Sequence, residues 1–247
     1  MTDLNAPRTA WRLAALLLLL VSVAGPAAAW DLAADPPRRD FEAFHRRLSG
    51  DVYHYPRHGA APLGLTGFDV YADASVDRGF DEEPFYGTVV SGDLPGGLLS
   101  FARVGARKGL PGGVDIGAAY GRALGGDLKL VSADLQWAMI KGGTLSPALS
   151  LRLTGSRTVD ADRFELDQYG AELLLSKGFA VLTPYIGGGV IYSDARLERE
   201  LLPALEDDHT QSIFYAGLTL NLLLPKITVE VEKAEEIQGA VRVAFGF

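Results

Sequence analysis

Three sets of residues in this chain have types and spacings that could do chemistry. The first lies in "DARLERELLPALEDDHTQS" (194–212), where Asp207, Asp208, His209 and Ser212 fall close together. A histidine polarised by a carboxylate can act as a general base beside a hydroxyl. The same acids, joined by Asp81, Glu82 and Glu83 of "DRGFDEEPFYG" (78–87), would offer hard oxygen ligands to a divalent cation. Neither reading has more than clustering behind it. The acids have no ordered ligand spacing, and His209 is the one histidine in either stretch, the other three being His45, His54 and His58. A lone histidine in an acidic surface loop is expected to be solvated, so no catalytic residue, metal or cofactor is assigned.

The second set is spread along the chain. Asp69, Tyr71, Asp115, Asp134, Gln136, Arg152, Glu172, Glu230, Glu232 and Arg242, with Arg103 and Tyr185, stand in stretches where apolar residues alternate with polar or small ones. The third is the terminal "AVRVAFGF" (240–247), in which Val241, Val243, Phe245 and Phe247 alternate with Arg242, Ala244 and Gly246. Chain ends are usually frayed and polar, so this one must be tied into something.

Alternation of period two requires β-strands. From residue 66 onward it recurs: Phe68, Val70, Ala72, Ala74 and Val76 against Asp69, Tyr71, Asp73 and Ser75; Val131, Ala133, Leu135, Trp137 and Met139 against Ser132, Asp134 and Gln136; Ile227, Val229 and Val231 against Thr228, Glu230 and Glu232. Similar runs at 114–121, 145–154 and 214–222, weaker ones at 97–106, 164–176 and 180–193, and the terminal strand 237–247 bring the expectation to ten strands, with eight or twelve as alternatives. A soluble sandwich would hide one face of each strand and wet the other. Here the apolar face carries large side chains in strand after strand while the opposite face carries full charges. That pattern suits an up-and-down antiparallel transmembrane β-barrel with lipid outside and a polar lumen.

Loop lengths agree. Counting from the first strand, odd-to-even connections fall at about 78–96, 123–126, 158–163, 194–210 and 234–236, and even-to-odd ones at 107–113, 141–144, 176–179 and 224–226. Both long loops lie at one end, as in outer-membrane barrels, where the short turns are periplasmic. The last strand of a closed barrel pairs with the first, which explains the alternating C-terminus. The pattern Val241, Val243, Phe245, Phe247 also resembles the signal by which outer-membrane proteins are recognised by the barrel-assembly machinery.

Composition narrows the field further. The net charge of −8 gives no basic stripe for nucleic acid, and the absence of cysteine excludes disulfides, iron–sulfur clusters and thiol catalysis. Walker, Rossmann and His-Glu-x-x-His motifs are missing. Residues 1–29 read as a cleaved signal peptide: Arg8 and Arg12, then "LAALLLLLVSVAG", then Ala27-Ala28-Ala29 before Trp30. An uncleaved anchor is the alternative, although the apolar run falls short of the ~20 residues of a membrane helix. Residues 30–65 are expected as a loose periplasmic leader with a short helix over 40–50, begun by Asp40 as N-cap and carrying Phe41, Phe44 and Leu48 on one face. A plug in the periplasmic mouth is the alternative. Residues 66–247 form the barrel.

"PLGLTGFDV" (62–70), "KGLPGGVDIGAAY" (108–120) and "SKGFAVLTPYIGGG" (176–189) resemble an uncharacterised family of proteobacterial outer-membrane β-barrel proteins, porin-like or opacity-type small barrels. The resemblance implies fold and location but no activity. Ten strands ~4.8 Å apart and tilted ~40° enclose a backbone cylinder roughly 20 Å across, so lumen charges of both signs are expected to pair. The function expected is a non-enzymatic outer-membrane barrel with a largely salt-bridge-filled lumen and acidic outer loops. Its partners would be outer-membrane lipid, lipopolysaccharide and the assembly machinery, and the chain would be monomeric. A narrow solute channel is the first alternative and an outer-rim hydrolase using His209 the second. Tyr120, Trp137, Tyr192 and Phe247 are candidate interfacial aromatics.

Overall fold

The computed structural model describes residues 30–160, 163–199, 202–222 and 225–246. The expected signal peptide (1–29) and the terminal Phe247 of the expected insertion signal lie outside these residues.

Ten antiparallel strands form the closed barrel that the alternation requires. They are β1 (Phe68–Arg78), β2 (Leu98–Leu110), β3 (Val114–Ala123), β4 (Lys129–Lys141), β5 (Ala148–Thr158), β6 (Phe164–Ser176), β7 (Leu182–Leu197), β8 (Leu205–Asn221), β9 (Lys226–Lys233) and β10 (Ile237–Gly246). Each pairs with its sequence neighbours, and β10 closes on β1 from Gln238 opposite Asp77 to Gly246 opposite Asp69. Closure leaves no open sheet edge in the barrel. Short turns lie at the end where β1 starts and β10 stops, the turn end. The long 79–97 connection and the other odd-to-even connections lie at the opposite, loop end.

The outer wall is apolar. Val70 on β1, Ile116 on β3, Trp137 on β4, Leu153 on β5, Leu173 on β6, Ile186 on β7, Phe214 on β8, Val229 on β9 and Val241 on β10 are all exposed. A continuous apolar belt of this kind is untenable in water and natural in lipid. Among the described residues no helix is long and apolar enough to cross a membrane. Trp137 points outward near the turn end, paired with Val114, whereas Tyr120 and Tyr192 point outward nearer the loop end.

Two elements differ from the sequence expectation. The 194–210 connection shrinks to 198–204 because β7 and β8 run on for 16 and 17 residues. Such strands exceed the 9–11 residues that span a bilayer, so their loop-end portions stand clear of it. The second difference concerns residues 30–65. They are not a loose leader at the end where β1 begins. Their helix, α1 (Arg38–Asp51), sits at the loop end, with Arg47 bonded to Asp77 of β1 and His45 to Ser193 of β7. Because β1 starts at the turn end, residues 52–66 must run the length of the lumen to reach it. Pro37, not Asp40, precedes the helix, and Asp40 in the first turn instead accepts a hydrogen bond from Thr88 Oγ1 at 2.7 Å.

α1 forms because Phe41, Phe44 and Leu48 share one face. That face completes the apolar core of the loop end. The Phe44 ring meets Phe80, Phe85 and Phe164 edge-on at 6.1, 5.9 and 6.0 Å. Leu99, Phe101, Leu166 and Leu197 of the wall and Val89 and Leu94 of the 79–97 connection join the same cluster. Residues Asp31–Leu32 pair with Val90–Ser91 and hold the entering chain across the mouth.

Two glycine positions shape the inside of the barrel. On the inward face, Gly187 lies opposite Tyr215, and Gly217 opposite Tyr185, across the β7–β8 seam. A side chain at either would overlap the neighbouring ring, so these glycines make room for lumen aromatics rather than leaving a channel. At the turn end a Cβ on Gly109 would overlap the Gly64 backbone. There "PLGLTG" meets "RKGL", with Lys108 Nζ donating to the Leu65 and Gly67 carbonyls at 2.6 and 3.0 Å.

Candidate functional site

All ten lumen positions named from the sequence point inward and are buried, none being more than 5% exposed. Most of them face a peptide, not water. An extended segment in a lumen has no ladder to satisfy its backbone groups, so the wall must supply partners. Arg103 donates to the Val52 and Tyr53 carbonyls at 2.8 and 2.6 Å. Arg152 reaches the His58 carbonyl at 3.3 Å, Gln136 the Ala60 carbonyl at 3.3 Å, and Asp115 accepts from Leu63 N at 3.1 Å. Gln168 and Gln238 cap the last carbonyls of α1, at Ser49 and Gly50.

Side chains of the segment are paired as well. Arg57 bonds Glu232 at 2.7 Å, bonds Asp73, and lies 3.8 Å from Glu230. Tyr53 donates to Glu172 at 2.6 Å, and Tyr185 donates to Glu230. Arg152 lies 3.4 Å from Glu172, and Asp134 is shared by Arg107 at 3.1 Å and His54 at 3.3 Å. Asp69 takes Lys226 at 2.9 Å and Arg242 at 3.6 Å, and the Arg242 guanidinium lies 4.3 Å over the Tyr71 ring. Arg57 supplies the cation that Glu230 and Glu232 would otherwise lack, and it shares Asp73 with Arg103 at 3.3 Å. It does so from a left-handed backbone conformation (φ 50°), which costs a non-glycine residue about 1–2 kcal/mol. The sequence reading did not single out Arg57, Tyr53 or His54, because nothing local marks a leader residue as the counterion of a strand eight elements away.

At the loop end the structure reassigns the candidate catalytic cluster. Asp207, Asp208, His209 and Ser212 sit on β8, not on a loop, and strand alternation splits them. Asp207 and His209 face the barrel axis, whereas Asp208 and Ser212 are exposed on the other face. The partners of the inward pair come from elsewhere. His45 of α1 places Nδ1 2.7 Å from Asp207 Oδ2 and Nε2 2.6 Å from Ser193 Oγ. His209 Nε2 lies 3.1 Å from Ser49 Oγ, and the two imidazole rings meet edge-on at 4.4 Å. Burial, reinforced by the neighbouring His209, pushes the His45 imidazole down to about 4 against the opposing pull of Asp207, so the ring is neutral at ordinary pH.

The order Asp207–His45–Ser193 is that of a nucleophile triad. Ser193 and His45 are wholly buried, and neither lines the cavity of about 380 Å³ at the mouth, which is walled by Trp30, Leu32, Phe44, Leu48, Lys129 and Phe164. A second cavity, about 260 Å³, opens at the turn end between His58, Asp69, Lys226 and Arg242 and shares no lining residue with the first.

No protein-family model matches this chain, and no curated protein does. The family resemblance of 62–70, 108–120 and 176–189 therefore stands without a matching family model. Among solved structures, the N-terminal β-barrel domain of Pseudomonas aeruginosa OprF aligns with a TM-score of 0.36 at 11% identity, covering 74% of this chain and 99% of that one. Neisserial surface protein A aligns at 0.31 and 11%, covering 72% and 95%. The translocator domain of the autotransporter NalP from Neisseria meningitidis aligns at 0.33 and 12%, covering 85% and 95%. All three scores are low, and the barrel rests on its own strand pairing.

Proposed function

We propose that this chain is an integral outer-membrane β-barrel protein of a Gram-negative envelope, non-enzymatic, with a lumen closed by its own N-terminal segment. One observation carries the reading: residues 52–63 fill the lumen, and inward wall side chains bond their backbone. The polar lumen is thus a binding surface for the chain's own peptide rather than a solute path. The apolar belt supports contact with outer-membrane lipid, and the C-terminal strand, with Val241, Val243 and Phe245 on its lipid face, supports insertion through the barrel-assembly machinery. The acidic 79–97 and 198–204 connections leave the loop end as the surface for lipopolysaccharide or another partner. The protein acts as a monomer.

Planar-bilayer recording of the refolded mature chain tests this. The chain from Trp30 onward is expected to be silent, and a variant lacking 30–63 is expected to give steady openings. Steady openings in the full mature chain would refute the closed-lumen reading and favour a narrow solute channel.

A further inference from the structure

The buried His209 Nδ1 has no hydrogen-bond partner. The Ser49 hydroxyl lies 3.1 Å from the other ring nitrogen, Nε2, and is itself held by the Arg46 carbonyl at 3.0 Å and by Gln211 Nε2 at 2.8 Å. Nδ1 points instead toward the Asp207 Oδ2 carboxylate oxygen, 3.9 Å away and beyond hydrogen-bond reach. His45 Nδ1 approaches the same carboxylate oxygen from α1. One ligand atom from each of His45, Asp207 and His209 lies within 4.8 Å of the other two.

We propose that His45 Nδ1, Asp207 Oδ2 and His209 Nδ1 bind one divalent transition-metal ion of the zinc class and so staple α1 to β8. The donor set fits that class. Two imidazoles and one carboxylate with a fourth position open to water suit zinc, whereas calcium and magnesium prefer oxygen alone. Ligand bonds of about 2.0–2.2 Å place tetrahedral donors roughly 3.3–3.6 Å apart, so the widest gap must close by about an ångström. Each imidazole already has an outer partner that fixes its orientation, Ser193 for His45 and Ser49 for His209, as metal-bound histidines require. On binding, the His45 proton moves from Nδ1 to Nε2, where Ser193 Oγ accepts it, and no net proton is released. Entry is from the mouth: the Asp207 and His209 side chains remain 19% and 14% exposed. The site does not depend on the closed-lumen reading, since it needs only α1 at the loop end.

The test is equilibrium dialysis of zinc against the refolded mature chain, made without a polyhistidine tag. One equivalent of zinc is expected per chain. His45→Gln and His209→Gln should each weaken binding by more than about 100-fold, and Ser49→Ala by about 10–100-fold. Asp208→Asn, on the outward face, should bind as the parent does. Heat-modifiable gel migration checks that each variant keeps its barrel. His209→Gln changes only the wall, so it carries the test where His45→Gln disturbs α1. Zinc should also slow hydrogen exchange across α1 in the parent but not in His209→Gln. A parent chain that takes up no stoichiometric zinc, or a folded His209→Gln that binds zinc like the parent, overturns the site. Unchanged exchange across α1 in the zinc-loaded parent overturns the staple.

Discussion

The two halves of the lumen hold the same N-terminal segment by opposite means. At the loop end α1 is packed by aromatic and aliphatic side chains, with Phe44 among Phe80, Phe85 and Phe164. Below it, residues 53–63 are held mainly by hydrogen bonds and ion pairs from the wall, with Tyr53 and Tyr55 also packed in a smaller cluster with Tyr185 and Tyr215. Hydrophobic packing is non-directional and tolerates a helix of its own making. Ionic filling is directional, and a single missing partner leaves a buried charge exposed to full desolvation cost. The upper half should therefore loosen gradually when perturbed, whereas the lower half should fail residue by residue.

Mutations can break that contrast. The largest effect is expected from Phe44→Ala, which empties a wholly buried ring site and should cost about 4 kcal/mol. Hydrogen exchange should rise across α1 while Arg57 and its neighbours stay protected. Exchange rising equally along 52–63 would mean that the halves are one cooperative unit. Next comes Arg57→Ala, which strands Glu230 and Glu232 and should cost about 3 kcal/mol, read as a lowered urea midpoint for unfolding. Here α1 should stay in place, and channel recordings should show intermittent openings. Tyr53→Phe removes one hydrogen bond to Glu172 and should cost about 1–2 kcal/mol in the same unfolding assay. Arg157→Ala, which breaks the exposed pair with Asp167 on the outer wall, should leave the midpoint unchanged. A large effect there would show that wall-surface pairs, not the lumen network, hold the barrel.

Much of the barrel was legible because its strands are amphipathic with period two. Val131 to Met139 and Ile227 to Val231 declare two faces without reference to any neighbour, and closure follows once the terminal strand must find a partner. The extent of β7 and β8 was not legible. "EDDHT" reads as an acidic loop by composition, and only pairing with Tyr192–Arg196 makes it strand, which sends Asp207 inward and Asp208 outward. Nor was the place of residues 30–66 legible. Their helix could be read from Phe41, Phe44 and Leu48, but a helical face does not say which end of a barrel it closes.

By itself, then, the sequence determined what each residue's neighbours along the chain can decide: strand periodicity, the apolar and polar faces, and the helix. Tertiary structure alone decided what depends on contacts far apart in the chain. It set Arg57 among Asp73, Glu230 and Glu232 and brought His45 to Asp207 and His209. The physical reason is that local periodicity shows which face a side chain takes, whereas its partner is chosen by burial. In a closed lumen every charge must be matched by whichever residue the threaded chain carries past it.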